Sequence, residues 1–269
     1  MKTIAELMQA SGIAAVDARV LLRVVLGVDG AHLIAHGNDA IAAQLETKFR
    51  EFAARRAAGE PVAYIIGERE FYGHTFKVTP AVLIPRPETE LLVELAVERM
   101  PERVLDLGTG SGCVAISIAL ALPQTRVMAI DQSDSALAVA RENAARLAAN
   151  NVEFRQGSWY VPAAGERYDA IVSNPPYVAA GDPHLAQGDL RFEPQAALVA
   201  GGDGLADIRA IIEGARAHLA RGGRLLFEHG YDQAARCREL LMQAGFSDVQ
   251  SWRDLASIER VSGGRAASL

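Results

Sequence analysis

From Arg103 onward the chain repeats one pattern, a strand-length apolar run, a turn and a helical stretch, and the first of these turns is built from small residues. Arg103-Val104-Leu105-Asp106-Leu107 reads as a buried strand that opens into Gly108-Thr109-Gly110-Ser111-Gly112 and then the helical run Val114 to Leu122. Glycines let a backbone bend tightly and approach a ligand closely, which suits a nucleotide-type turn between strand and helix. Further strand-length runs follow at Val127 to Ile130, Val152 to Arg155, Ala170 to Ser173 and Leu225 to Glu228, with helical stretches such as Asp134 to Ala148 between them. Such alternation predicts a parallel sheet with helices on both faces. After the helix Gln233 to Ala244, Asp248 to Trp252 and Ile258 to Val261 predict an antiparallel pair at one edge. The expectation is a Rossmann-like α/β sheet, mostly parallel and seven-stranded.

The glycine spacing narrows the ligand. It is Gly-x-Gly-x-Gly, with Cys113 where a dinucleotide fingerprint would place its third glycine or alanine, and Asp106 precedes the turn by one residue. A carboxylate there repels a pyrophosphate but suits a cofactor carrying an ammonium group and a sulfonium. Asp131 ends the next strand about 20 residues past the glycines, where it can accept from both ribose hydroxyls or instead cap the following helix. These features together point to S-adenosylmethionine. Trp159, after Gly157-Ser158, can pack on the adenine of such a cofactor or simply be a core residue.

The strand Ile171-Val172-Ser173 runs into Asn174-Pro175-Pro176-Tyr177, and this tetrapeptide suits methylation of a planar nitrogen. An amide or exocyclic amine nitrogen is a poor nucleophile because its lone pair is delocalised, so its two N–H bonds must be held by acceptors. The Asn174 side-chain carbonyl and the Pro175 backbone carbonyl are candidates. The paired prolines bias the backbone toward extended conformations and present those oxygens rigidly. Tyr177 offers a ring face for stacking. The plain alternative is a proline-rich turn ending a strand.

The chain has 269 residues, half of them apolar, and a formal net charge of −6. That sign disfavours free DNA or RNA as substrate and fits a basic protein better. No apolar run approaches the roughly 18 residues of a membrane span, and the N-terminus lacks a signal-peptide pattern, so a cytoplasmic protein is expected. Cys113 and Cys237 have no metal or disulfide spacing, and the six histidines lack a zinc pattern; no metal is expected.

Residues 1–58 contain no proline and carry helical periodicity, as at Val16, Val20, Leu21, Val24 and Val25, with glycines dividing them into four or five short helices. From Pro61 the pattern changes to Tyr64-Ile65-Ile66-Gly67 and then Phe71 to Val78, which reads as a hairpin. Three parts are therefore expected: a helical substrate-recognition domain over 1–58, a β-hairpin linker over 59–84 and a catalytic domain over 85–269. Pro85-Arg86-Pro87-Glu88-Thr89-Glu90 starts a helix with Pro87 at its first position, which leaves Arg86 unexplained. The polar stretch Val178 to Gly204 is long for a loop and is expected to shape the substrate pocket.

The chain resembles the HemK/PrmC protein-(glutamine-N5) methyltransferases over nearly its whole length. The resemblance rests on Gly73-His74 with Phe76, Ile84 to Glu90, Asp106 to Gly112, Asp131, Ser173 to Tyr177, Phe192-Glu193-Pro194, Asp203-Gly204, Glu228-His229-Gly230 and Asp254. It implies a class I methyltransferase fold with S-adenosylmethionine held at Gly108, Thr109, Gly110, Ser111, Gly112, Asp131, Trp159 and Asn174. It also implies contacts from Asn174, Pro175, Pro176 and Tyr177 to the glutamine of the GGQ motif in class I peptide-chain release factors. A monomer is expected. Ser158 departs from the family, many of whose members carry Asp there. An N6-adenine methyltransferase would share the Asn-Pro-Pro-Tyr chemistry but should show a basic patch. A non-catalytic nucleotide-binding protein would need only the glycine turn.

Overall fold

The computed structural model describes residues 2–266, which form two compact units. The first gathers the chain up to Glu68 together with Ala186–Phe192; the second holds Arg69–Leu185 and the chain from Glu193 onward.

The first unit is helical: α1 (Ile4–Gln9), α2 (Ala15–Leu26), α3 (Gly30–Ala35), α4 (Ala43–Ala57) and α5 (Val62–Ile66). Local chemistry sets their ends. Thr3 and Glu6 cap α1 reciprocally, at 2.9 and 3.2 Å, which satisfies two otherwise orphaned backbone donors. Leu7, Leu21, Leu22, Phe49 and Ile65 share one buried cluster. Ile65 corrects the sequence reading, since residues 62–66 are a helix and not part of the hairpin. One helical turn turns Ile65 into this core, a burial that outweighs the strand preference of Tyr64-Ile65-Ile66. Ala186–Phe192 is tied to the same unit, with Asp189 accepting from Arg56 at 2.7 Å and Arg191 donating to the Ala58 carbonyl at 3.1 Å.

The second unit opens with a hairpin, β1 (Glu68–Phe71) and β2 (His74–Lys77), followed by α6 (Glu90–Val97). Then come β3 (Arg103–Leu107), α7 (Cys113–Ala121), β4 (Arg126–Asp131), α8 (Asp134–Arg146), β5 (Val152–Gln156) and β6 (Tyr168–Ser173). The chain continues through α9 (Ala206–His218), β7 (Leu219–Glu228), α10 (Ala234–Gln243), β8 (Phe246–Arg253) and β9 (Glu259–Ala266). The seven-stranded sheet has the order β5-β4-β3-β6-β7-β9-β8. The first five strands in that order are parallel, while β9 lies antiparallel between β7 and β8. Alternation along β3 sends Leu105 and Leu107 to the cluster under α9 and α10, and Val104 to the one under α6 and α7.

Strand order reverses between β3 and β6. In open parallel sheets a crevice forms at such a point, outside the carboxyl ends of the strands. Three sequence signals meet there: the glycine turn leaves β3, Asp131 ends β4, and Asn174 follows β6. Leu107 pairs with Ser173, whose hydroxyl donates to the Leu107 carbonyl at 2.7 Å.

Candidate active site

A cavity opens at these strand ends. Asp106, Gly108, Thr109, Gly110 and Ser111 line one side; Asp131, Trp159, Asn174 and Pro176 also line it, as do Pro194 and Ala197 from the long stretch after β6. Thus Pro175, Tyr177 and Gly112 are the predicted site residues that do not line it, and each has another place.

Gly112 stands at the N-cap of α7 with φ +81°. A Cβ there would come within 2.8 Å of Ile116 Cδ1 and 3.1 Å of the Ala140 Cβ, so this glycine lets α7 pack on α8 as well as turn. Pro175 is buried. Tyr177 is partly buried, and its hydroxyl donates to Glu228 Oε1 at 3.1 Å. Burial, reinforced by the Glu228 charge, raises its phenol well above the usual range.

Asp131 holds the turn from the neighbouring strand. Its Oδ2 accepts from the Gly110 N–H at 2.9 Å and its Oδ1 from the Ser133 N–H at 2.9 Å. The cap of α8 is Ser133, whose hydroxyl accepts from the Ala136 N–H, so the alternative of Asp131 as that cap does not hold. Trp159 has φ +44°, a left-handed conformation that costs about 1–3 kcal/mol in a non-glycine residue. Its ring lies beside Gly108, against the cavity, and also packs on the core. Ser158 lines the cavity and is exposed.

Five buried side-chain polar atoms among the described residues lack a hydrogen-bond partner, and four belong to residues lining this cavity: Asp106 Oδ2, Thr109 Oγ1, Ser111 Oγ and Asn174 Oδ1. Unsatisfied buried polar atoms cost about 1–3 kcal/mol each, so their convergence fits a polar ligand. A buried carboxylate, hydroxyls and an aromatic wall together suit a ligand with a cationic amino-acid end and a flat base, as S-adenosylmethionine has. Burial pushes the Asp106 carboxyl up to about 7, and the nearby Asp131 charge adds to the rise. A cationic ligand would reverse that.

The segment before α6 proves to be a hub. Arg86 donates to the buried Glu193, which also accepts from the Ile84 N–H at 3.0 Å. Glu90 accepts from the Tyr72 N–H at 2.9 Å. Thr89, 2% exposed, accepts from Asn174 Nδ2 at 3.1 Å and donates to Glu228 Oε2 at 2.6 Å. Thr89 and Glu228 are absent from the predicted site residues. An acidic residue ending the apolar run Leu225-Leu226-Phe227 was the signal for Glu228, because a buried charge needs partners. Asp207 of α9 also lines the cavity unpredicted, its carboxyl raised by burial.

Comparison with known proteins agrees with this architecture. Residues 87–253 match the methyltransferase small domain family and residues 1–67 the PrmC N-terminal domain family. The chain is 52% identical to the release factor glutamine methyltransferase of Burkholderia pseudomallei, covering 98% of this chain and 96% of that one. It is 53% identical to the protein of the same name from Bordetella pertussis, over 98% and 99%. A methyltransferase from Pyrococcus furiosus shares the fold at a TM-score of 0.57 and 18% identity, over 80% of this chain and 97% of that one.

Proposed function

Since the chain belongs to the release factor glutamine methyltransferase family, we propose that it methylates N5 of the GGQ-motif glutamine in class I peptide-chain release factors, with S-adenosylmethionine as donor. The observation that carries this reading is Asn174 Oδ1, an acceptor buried without a partner in a residue lining the cavity at the carboxyl end of β6.

When bound, S-adenosylmethionine supplies a methyl group on a cationic sulfur. Asp106, Thr109, Gly110, Ser111, Asp131 and Trp159 hold the donor in this reading, and Gly112 shapes the turn. Asn174 Oδ1 and the Pro175 carbonyl accept from the two N–H groups of the glutamine amide, Pro176 forms the wall beside it, and Tyr177 supports that wall from outside the lining, its hydroxyl bonded to Glu228. As the new N–C bond forms, the methyl–sulfur bond breaks and its electron pair stays on sulfur as a neutral thioether, so positive charge passes to that nitrogen, and acceptors aimed at it stabilise the transition state more than the ground state. A proton then passes from nitrogen to water. No strong base is needed beforehand; orientation supplies much of the barrier reduction, on the order of 7 kcal/mol when alignment is ideal.

The helical unit is assigned to recognition of the intact release factor, because no residue lining the cavity comes from it. In this reading the enzyme is a cytoplasmic monomer, and its acidic charge supports a protein over a nucleic-acid substrate. No helix among the described residues is long and apolar enough to cross a membrane. Incubation with radiolabelled S-adenosylmethionine and either a release factor, the same factor with its GGQ glutamine changed to alanine, or adenine-containing DNA tests the proposal. Label is expected in the first alone. Label in DNA, or equal label in the alanine-substituted factor, refutes it.

A further inference from the structure

Asn174 has two chemically opposite ends, and only one of them can serve as acceptor. What decides which end meets the substrate is a chain of hydrogen bonds that starts at two residues lining the cavity, Asn174 and Thr89, and ends on Glu228. Its members are Asn174 Nδ2 to Thr89 Oγ1 at 3.1 Å, and the Thr89 hydroxyl to Glu228 Oε2 at 2.6 Å; the other carboxylate oxygen takes the Tyr177 hydroxyl at 3.1 Å. Thr89 and Glu228 are 2% and 1% exposed, so water cannot readily substitute for either partner.

We propose that Glu228 is a positioning residue for methyl transfer: through the Thr89 hydroxyl it dictates which way the Asn174 amide points, and hence that an oxygen and not an NH₂ group faces the glutamine nitrogen. This rests on the reading given under Proposed function.

Donor and acceptor counts fix the direction of this chain. An ionised carboxylate only accepts, so Thr89 must spend its single O–H on Glu228. The Thr89 oxygen is then left as an acceptor toward Asn174, which must answer with its NH₂. Asn174 Oδ1 is thereby turned the other way, and it is the atom found buried without a partner. Reverse the first link and the rest follows. A donor in place of the Glu228 oxygen would turn the Thr89 O–H toward Asn174, which would answer with Oδ1 and present NH₂ to the substrate, donor against donor.

The same logic makes the arrangement sensitive to protonation. Burial pushes the Glu228 carboxyl up to about 7, against the opposing effect of the Thr89 and Tyr177 hydrogen bonds. Arg260 of β9 favours its ionised form and Glu88, beside Thr89, opposes it; Tyr177 and Cys113 are kept neutral by burial, and burial also lowers the neighbouring His229. When protonated, Glu228 becomes able to donate to Thr89, and the direction of the chain is no longer enforced.

The test is kcat against pH at saturating donor and release factor for the wild type, Thr89→Val, Thr89→Ser and Glu228→Gln. Donor dissociation constants and circular dichroism on the same samples establish that each variant is folded. Wild-type kcat is expected to fall as pH drops through about 7. Thr89→Val, which keeps the shape and deletes the hydroxyl, should lose about tenfold or more in kcat, with donor affinity within about threefold and no step near neutral pH. Glu228→Gln, of equal volume, should behave likewise, while Thr89→Ser recovers most of the rate and the step. A Thr89→Val or Glu228→Gln enzyme with wild-type kcat and an unchanged profile overturns the inference. Either variant carries the comparison if the other does not fold. A wild type that leaves release-factor glutamine unmethylated overturns the functional reading and this inference with it; active wild type with unaffected variants overturns this inference alone.

Discussion

The side-chain amide of Asn143, in α8, donates to the backbone carbonyl of Ser111 in the glycine turn at 2.9 Å. The same amide donates to the Lys77 carbonyl at 3.0 Å and accepts from the Lys77 N–H at 2.7 Å, so one buried residue ties β2 to the donor-side turn. Asn143→Ala removes three hydrogen bonds at a fully buried position. The expected loss of stability is about 2–4 kcal/mol, read from urea unfolding, together with weaker donor binding. A variant with an unchanged midpoint would mean the contacts are dispensable.

Asn174→Ala should lower kcat by roughly 10²-fold or more while changing donor affinity little, because the acceptor acts mainly in the transition state. Steady-state kinetics on a release factor, with donor binding measured separately, decides it. Near-normal turnover would remove Asn174 from the chemistry.

Asp131→Ala is expected to weaken S-adenosylmethionine by about 1–3 kcal/mol through loss of a charged acceptor. The turn contributes too, since the Gly110 N–H loses its partner. Calorimetric titration of Asp131→Asn beside the alanine variant separates the two effects: asparagine keeps one acceptor for the backbone but no charge for the ribose. Equal affinity in all three proteins would contradict a ribose role.

Removing Arg86 leaves Glu193 buried with the Ile84 N–H as its remaining partner in the structure. Because Arg86 is about a third exposed, the cost of Arg86→Ala should fall below that of breaking a fully buried pair, at about 1–3 kcal/mol. Pro194 adjoins Glu193 and lines the cavity, so the KM for the release factor should rise as well. Thermal unfolding and kinetics on the variant report both.

Stability should also depend on pH in a defined direction. Asp106 and Glu228 both have folded-state pKa values raised to about 7, from 3.8 and 4.5, mainly by burial. A raised carboxyl stabilises the fold fully below its unfolded pKa, and that contribution is lost as pH rises toward 7. The ligand-free protein should therefore lose thermal stability between about pH 4 and 7, and Asp106→Asn should lose less over that window. Identical pH dependence in the two proteins would contradict the burial assigned to Asp106.

Much of this molecule could be read before its coordinates. The parallel sheet was legible because strands buried on both faces must be near-continuous apolar runs, and the turn after β3 because a backbone that bends this sharply calls for glycine. Asn174 stood out because two prolines restrict the backbone around it. Residues 62–66 misled because β-branched and aromatic side chains suit a strand or a buried helix alike, and only the helical core available to Ile65 chose between them.

Partnership across the fold was another matter. Thr89 and Glu228 are 139 residues apart and meet only because α6 packs on the sheet beside the end of β7. Arg86 and Glu193, 107 residues apart, are the same case. Backbone conformation and burial are dictated over a few residues by local sterics and apolar periodicity, so a linear chain displays them. The direction of a hydrogen-bond chain depends on which buried donors and acceptors the folded topology brings within about 3 Å, and that is known only once every strand has its neighbour.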